Sequence, residues 1–354
     1  TTFSAKIRLL ELQDSKKKKT DVVDRYKEIN DSLEKTNRLM EKNSTLTVSG
    51  NFVNENAEAF IINDGAQVFQ NNDNVAATFK MTVYAPTSWD ESHAEGWQFI
   101  SSPIKDVNIS DFDPEYYDYD LFKYDGTKEL QWINYKGHVG EFETTFQQAC
   151  AYLASYEYTT YLKLAGILNP ATTFSKELSY YEDEMLANFH LLGNPFTFDM
   201  DMRKAEYTDL IAGVAIVNEE GGYTYGAFTE QTTIPVGDGF FVKAIGPNPS
   251  LSYNHNNEVE PAARGSEKAN SINVIATSKA GQDNVVVNFA GQSEGFNKLQ
   301  NFNDEIATVY VSENGKNYGI ANVDENTTEV ALNFDAKEMG SYTISLDVDG
   351  EFET

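Results

Sequence analysis

From Leu46 to the end of the chain, short apolar stretches alternate with turn-forming residues, and this pattern constrains the fold more than any other feature of the sequence. Apolar and polar residues alternate in the stretch 46–53. Further runs rich in Val, Thr, Tyr and Phe follow, separated by Asn, Asp and Gly residues. Alternation with a period of two is typical of strands that bury one face. The pattern therefore predicts an all-β body.

Residues 1–44 are a different kind of segment. They contain no Gly and no Pro, and they carry 11 Lys or Arg against 8 Asp or Glu. Apolar positions spaced alternately four and three apart predict an amphipathic helix, with the seam Val22, Tyr26, Ile29, Leu33, Thr36 and Met40. We expect this helix either to pack on the body or a neighbouring subunit, or to oligomerise as a coiled coil through residues 20–43.

The middle of the chain contains an internal repeat. Residues 96–103 and 188–195 share one order of residue types: aromatic, polar, two apolar, two small or turn-forming residues, and proline. A second match joins 150–154 to 239–243, and the two matches have nearly equal offsets of 92 and 89 residues. This repetition predicts two related β units in tandem.

These patterns together predict a mostly β protein, in which tandem β-sandwich-like modules follow an N-terminal α-helical or coiled-coil segment. Five short apolar runs after residue 271 predict a last small β-sandwich. The predicted divisions are a helical segment 1–44, short strands 45–85 leading into the body, β unit 1 at 86–175, β unit 2 at 176–262, and the C-terminal β-sandwich 263–354.

Three groups of stretches carry a resemblance to a known class of protein: 45–52 with 64–67, 192–196 with 237–242, and 295–303 with 340–344. Together they resemble the large β-modular proteins that Bacteroidota export to the outer face of the cell, often beside a type IX secretion sorting domain. The resemblance covers about 45 to 354 and implies non-catalytic, adhesin-like modules at an extracellular or outer-membrane surface. The segment 1–44 departs from that pattern.

The charge of the chain excludes several partners. It has 27 basic and 55 acidic residues, a formal net charge of −28. Phosphate backbones and anionic membrane surfaces would repel such a protein, so we expect no nucleic-acid partner. No run approaches the roughly 18 consecutive apolar residues of a membrane helix, and the single cysteine, Cys150, excludes a disulfide framework.

The sequence shows no catalytic signature. The four histidines, His93, His138, His190 and His255, form no pair at metal-binding spacing, and no Gly-x-Ser-x-Gly elbow is present. We therefore predict no catalytic residue and no cofactor, with one possible exception. The densest acidic cluster would suit Ca²⁺, which takes six to eight oxygen ligands: Asp111, Asp113, Glu115, Asp118 and Asp120. A solvated acidic loop with exposed tyrosines is the favoured interpretation of this cluster, and a sugar-binding surface made with those tyrosines is a further alternative.

Tyrosines supply the candidate contact patch, because their amphipathic rings are enriched in recognition surfaces. The candidates are four groups, of which we expect one to lie at the edge of a module: Tyr156 with Tyr158, then Tyr161, then Tyr180 with Tyr181, and Tyr223 with Tyr225.

The function that these features favour is a non-catalytic extracellular binding or adhesion protein with a glycan or protein ligand. One alternative is a glycan-processing enzyme, or its accessory carbohydrate-binding region, which would need two facing carboxylates in a cleft. Another is a purely structural surface or stalk component.

Overall fold

The structure is a computed structural model, and it describes residues 38–89, 94–112, 117–128, 130–182, 188–228, 232–257, 270–289, 291 and 294–350. Within these ranges the chain is mostly β, as the alternation predicts. The only helical elements there are 3₁₀ turns, at Ala57–Ala59, Ile109–Phe112, Val139–Glu141 and Met202–Lys204. No helix in this part of the chain is long and apolar enough to cross a membrane.

The first twelve strands are β1 (Arg38–Met40), β2 (Thr45–Thr47), β3 (Phe60–Asn63), β4 (Gln67–Phe69), β5 (Ala76–Val83), β6 (Gln98–Ile100), β7 (Ile104–Lys105), β8 (Tyr119–Tyr124), β9 (Trp132–Asn134), β10 (Tyr152–Tyr156), β11 (Thr160–Leu168) and β12 (Thr173–Glu177). The next eight are β13 (Phe189–Gly193), β14 (Met200–Asp201), β15 (Ala205–Thr208), β16 (Gly213–Val217), β17 (Tyr223–Ala227), β18 (Thr233–Ile234), β19 (Gly239–Lys243) and β20 (Ser250–Asn254).

The last seven are β21 (Asn270–Ser278), β22 (Gly281–Phe289), β23 (Phe296–Asn297), β24 (Thr308–Glu313), β25 (Lys316–Asn322), β26 (Leu332–Asp335) and β27 (Thr343–Asp349).

The helix predicted for residues 1–44 is wrong at its C-terminal end. Residues 38–40 form β1, which pairs in parallel with β3 and places Met40 opposite Ile62. Met40 packs on the first apolar core, so ladder hydrogen bonds and burial together outweigh the local helical spacing. Residues 1–37, which carry most of the predicted seam and of the segment 20–43, lie outside the described residues.

Two four-stranded sheets have the same order of strands. One runs β6-β10-β8-β9 and the other β13-β19-β16-β17, with every pair antiparallel. In each sheet the strand that is first in the sequence pairs with the strand that is last. That last strand then pairs with the second strand in the sequence, and the second pairs with the third. The stretches that match in sequence overlap the two paired strands at the start of each sheet.

The two four-stranded sheets pack directly against each other. Phe99 of the first sheet meets Phe241 of the second edge to face, with ring centroids 5.2 Å apart. A Cβ added at Gly239 would lie 2.3 Å from the Cβ of Ala151, so only glycine allows this approach. The two repeats therefore share one aromatic core.

The outer face of each four-stranded sheet is also covered. The sheet β1-β3-β5-β11-β7 closes a core over the first one, and the sheet β12-β20-β15 closes another over the second. Four layers of sheet therefore stack with three apolar layers between them. The short ribbons β2-β4 and β14-β18 add Val68 and Ile234, respectively, to these cores.

The C-terminal strands form one seven-stranded sheet rather than the β-sandwich predicted for residues 263–354. Its order is β26-β24-β25-β22-β21-β27, with β23 beside β25. One face of this sheet lies against β17, where Tyr225 packs on Phe296 and Gly319, and the other face closes a separate apolar core. The contact leaves no room for a Cβ at Gly319, which would lie 2.3 Å from the Tyr225 ring.

A buried ion pair lies in this contact. The Nζ of Lys298 is 2.8 Å from the carboxylate of Asp283 and 4.4 Å from the centroid of the Tyr225 ring. It also donates a hydrogen bond to the carbonyl of Asn284 at 2.7 Å. Burial lowers the pKa of Lys298 to about 8 and raises the pKa of Asp283, so both charges are held at a desolvation cost.

Candidate functional site

Three of the seven tyrosines predicted as contact candidates lie in the core. Tyr156, Tyr223 and Tyr225 are core residues, since β10 is buried along its length and the β17 rings face the aromatic core. The hydroxyl of Tyr225 accepts a hydrogen bond from the amide of Leu299 at 2.7 Å. Of the others, Tyr158 and Tyr161 are 59% and 63% exposed, while Tyr180 and Tyr181 are half-buried.

The acidic cluster does not assemble a calcium site from its described members. Asp113 and Glu115 lie outside the described residues, and Asp111 is exposed on a 3₁₀ turn. Asp118 pairs with Lys136, whose hydrogen bond is the main cause of the lowered pKa of Asp118. Asp120 accepts a hydrogen bond from the amide of Asn134 at 2.8 Å.

A different group of carboxylates lines a concave feature of the surface. This cavity of about 510 Å³, here called the acidic pocket, carries Asp64, Asp199, Glu219 and Asp238 on its walls and a single lysine, Lys42. Tyr84, Phe99, Gln67 and Gln98 complete much of the lining. The pocket therefore combines strong negative charge with aromatic and amide groups.

Each acidic side chain reaches the pocket from a separate connection. Asp64 follows β3, Glu219 lies between β16 and β17, Asp238 lies between β18 and β19, and Asp199 precedes β14. The carboxylate of Asp199 is fixed by the side-chain amide of Gln67 at 2.8 Å and the backbone amide of Val236 at 3.1 Å. Turns from several parts of the chain thus converge on one cavity.

Asp238 is the pocket residue whose pKa is raised most strongly. It is half-buried in a turn between two glycines, and Gly237 has a φ of 87°. A Cβ at Gly237 would lie 2.7 Å from the Cε of Met81, so the turn fits only because glycine lies there. Burial raises the pKa of Asp238 well above its usual range, and the charges of Asp64, Asp199 and Glu219 raise it further.

The neighbouring groups show the same electrostatic pattern. Burial raises the pKa of Tyr84, which is hydrogen-bonded to Glu219, and the carboxylates of Glu219 and Asp64 add to that rise. Burial also raises the pKa of Asp199. None of the four pocket carboxylates forms an ion pair with a described residue. Among the described residues, hydrogen bonds such as those to Asp199, rather than ion pairs, offset part of their mutual repulsion.

These carboxylates do not converge on one point. Across the described ranges, no group of three or more His, Cys, Asp or Glu is arranged to hold a metal ion. The acidic groups instead surround a space much larger than a single ion. This geometry suits an organic cation with several donors better than a bare divalent metal.

Sequence reasoning missed the four pocket residues. The local signal was that Asp64 and Asp238 directly adjoin glycines and that Glu219 lies two residues before one. Such dipeptides are ordinary turn signals, and turns with acidic residues occur throughout this chain. Only the packing of the layers shows which of them meet.

No family model, no curated protein and no solved structure matches this chain. Inference about function therefore rests on the side chains of the acidic pocket.

Proposed function

We propose that the protein is a non-catalytic binding or adhesion protein of the extracellular or outer-membrane surface, built from tandem β-sandwich-like modules. Its acidic pocket holds a positively charged group of a glycan or protein ligand. The observation that carries this proposal is the set of four carboxylates, without ion-pair partners among the described residues, around a cavity of about 510 Å³ with one lysine.

Coulomb energies support a cation as the ligand. An ammonium about 4 Å from one carboxylate gains about 1 kcal/mol in a water-like medium and about 4 kcal/mol near a protein surface, before its own desolvation is counted. Four acidic side chains opposed by one lysine therefore favour a cation over a neutral analogue, and each net gain of about 1.4 kcal/mol corresponds to tenfold in affinity.

The raised pKa of Asp238 adds a pH signature. A bound cation stabilises the ionised form of a nearby carboxyl group, so binding lowers the pKa of Asp238 and releases a proton. Affinity for the cation should therefore increase as the pH rises through the titration of Asp238.

The surface location is supported by the resemblance of residues 45 to 354 to exported Bacteroidota proteins. The net charge of −28 fits a protein that does not associate with nucleic acid. Adhesive β modules also commonly bind through sites at the connections between strands, where the acidic pocket lies.

The test is isothermal titration calorimetry with N-acetyl-lysine methylamide and its neutral partner N-acetyl-glutamine methylamide, at low and high salt. We expect the lysine compound to bind at least tenfold more tightly, and Glu219→Gln to weaken it about threefold to tenfold. Glu313→Gln, an equal charge change at an exposed hairpin, is the control and should stay within twofold. Equal binding of the two compounds would refute the proposal, and a stalk component would bind neither.

One observation favours the glycan-processing alternative. A carboxyl group with a raised pKa beside a second carboxyl group is the arrangement of a glycosidase acid and its partner, and Asp238, whose pKa is raised by burial and by neighbouring carboxylates, lines the same pocket as Asp199. That alternative predicts release of reducing ends from oligosaccharides by the wild type and a loss of at least a hundredfold in Asp238→Asn. The binding proposal predicts no release by either protein.

A further inference from the structure

A second cavity of about 470 Å³, here called the aromatic groove, has Phe69, Phe198, His255 and Gln70 among its lining residues. The rings of Phe69 and Phe198 stack with centroids 4.9 Å apart, and the His255 ring lies 4.5 Å from that of Phe198. His255 is the only titratable residue among the described lining residues. Burial lowers the pKa of His255, and the positive charge of Lys204 lowers it further. The groove therefore offers an aromatic surface on which the apolar face of a sugar ring can stack.

Two polar atoms of the groove lack hydrogen-bond partners. The Nε2 of Gln70 and the Nδ1 of His255 are both buried without a partner in the described part of the chain. Gln70 is only 6% exposed, and its Oε1 accepts a hydrogen bond from the amide of Asn72 at 2.6 Å, which fixes the orientation of the side-chain amide. A buried polar group without a partner is destabilising, and a hydrogen bond to a ligand hydroxyl would offset that cost.

The register of the β2-β4 ribbon joins the groove to the acidic pocket. Thr45 pairs with Gln67 and both line the acidic pocket, while Thr47 pairs with Phe69 and both line the groove. Residues two apart on a strand share a face and are separated by about 7 Å. The two cavities therefore follow each other along one face of the ribbon.

The ribbon does not offer the β4 edge to a peptide strand. The backbone amide of Val68 already donates to the carbonyl of Thr197 at 2.7 Å, and its carbonyl accepts from the Thr197 hydroxyl at 2.5 Å. Addition of a strand to this edge would need those main-chain groups. Recognition along the face therefore depends on hydroxyl, amide and ring side chains, which suit a sugar chain.

We infer that the acidic pocket and the aromatic groove form one extended site for an oligosaccharide of amino sugars that keep their free amines. One ammonium group occupies the acidic pocket, and a neighbouring pyranose lies on the aromatic groove with its hydroxyls bonded to Gln70 and His255. This inference rests on the proposed function and names the ligand class of the same site.

The test compares three probes by calorimetry: a β-linked glucosamine tetramer, the same tetramer fully N-acetylated, and the glucosamine monomer. We expect the free-amine tetramer to bind at least tenfold more tightly than either other probe. Gln70→Met and His255→Phe, which remove the two unpartnered atoms, should each weaken the tetramer about fivefold and leave the monomer within twofold. Glu219→Gln should weaken both the tetramer and the monomer.

Thermal unfolding of each variant checks its fold, and His255→Phe keeps a ring in place if Gln70→Met proves unstable. Equal affinities of tetramer and monomer, or tetramer binding unchanged in a folded groove variant, would overturn the extended site while leaving cation binding intact. Equal binding of the acetylated tetramer would overturn the free-amine requirement. Failure of the lysine compound, the monomer and the tetramer alike would overturn the proposed function itself.

Discussion

The buried pair of Lys298 and Asp283 gives a sharp test of how the C-terminal sheet is held on the second repeat. Lys298→Met keeps the volume of the side chain but removes the ammonium. Asp283 is 2% exposed, so its carboxylate would remain buried with the amide of Val309, at 2.7 Å, as its main remaining donor. Removing one partner of a buried pair costs about 3–5 kcal/mol, because the other charge stays desolvated.

We expect Lys298→Met to lower the free energy of unfolding at pH 7 by that amount, measured by urea denaturation followed by tyrosine and tryptophan fluorescence. The double variant Lys298→Met with Asp283→Asn should recover most of the loss, since no buried charge is left. The single variant should also recover as the pH falls from 7 towards 5. Its unpaired carboxyl group has a raised folded-state pKa, and such a group destabilises the fold progressively as the pH rises.

Lys337→Met is the matched control, because Lys337 and Asp304 form an ion pair that is more than half exposed on both sides. Its loss should cost less than about 1 kcal/mol. The reasoning is refuted if Lys298→Met costs no more than this control, or if the double variant is as unstable as the single one.

Two further perturbations test the shared core and the acidic pocket. Gly239→Ala forces a Cβ to within 2.3 Å of Ala151, so it should destabilise the protein by about 1–3 kcal/mol in thermal unfolding. The control is Gly140→Ala, which has open space around it and should change stability by less than about 0.5 kcal/mol. Equal effects of the two substitutions would contradict the contact between Gly239 and Ala151. Asp238→Asn should be more stable than the wild type at pH 8, and the stabilities of the two proteins should converge near pH 4. A carboxyl group with a raised pKa contributes stability at low pH that is lost as the pH rises. A larger difference in stability at pH 4 than at pH 8 would contradict the burial of that carboxyl group.

The strands of this fold could be predicted because alternation is a local property. The stretch 46–53, the two repeated motifs and the apolar runs after residue 271 all coincide with or overlap strands. The prediction of a helix across residues 38–40 was wrong, because it used only local spacing, whereas Met40 pairs with a strand that is distant in sequence. Parallel pairing with β3 is not visible in a local window.

The orientation of the tyrosines could not be predicted from alternation. A period of two shows that Tyr223 and Tyr225 share a face of β17, but not that a second sheet covers this face. The same limit hid the acidic pocket, whose carboxylates come from connections as far apart as Asp64 and Asp238. Sites of this kind depend on how layers stack, which is a property of the whole chain.

The stacking of the two four-stranded sheets also limits how such a protein can evolve. In solenoid repeats each copy leaves a fresh apolar surface for the next, so arrays lengthen by duplication. Here both faces of both middle sheets are already covered, with aromatic residues between them and glycines at the tightest contact. A third sheet of this kind would find no vacant surface, so the two sheets form a closed pair, and new length can be accommodated only in the connections around them.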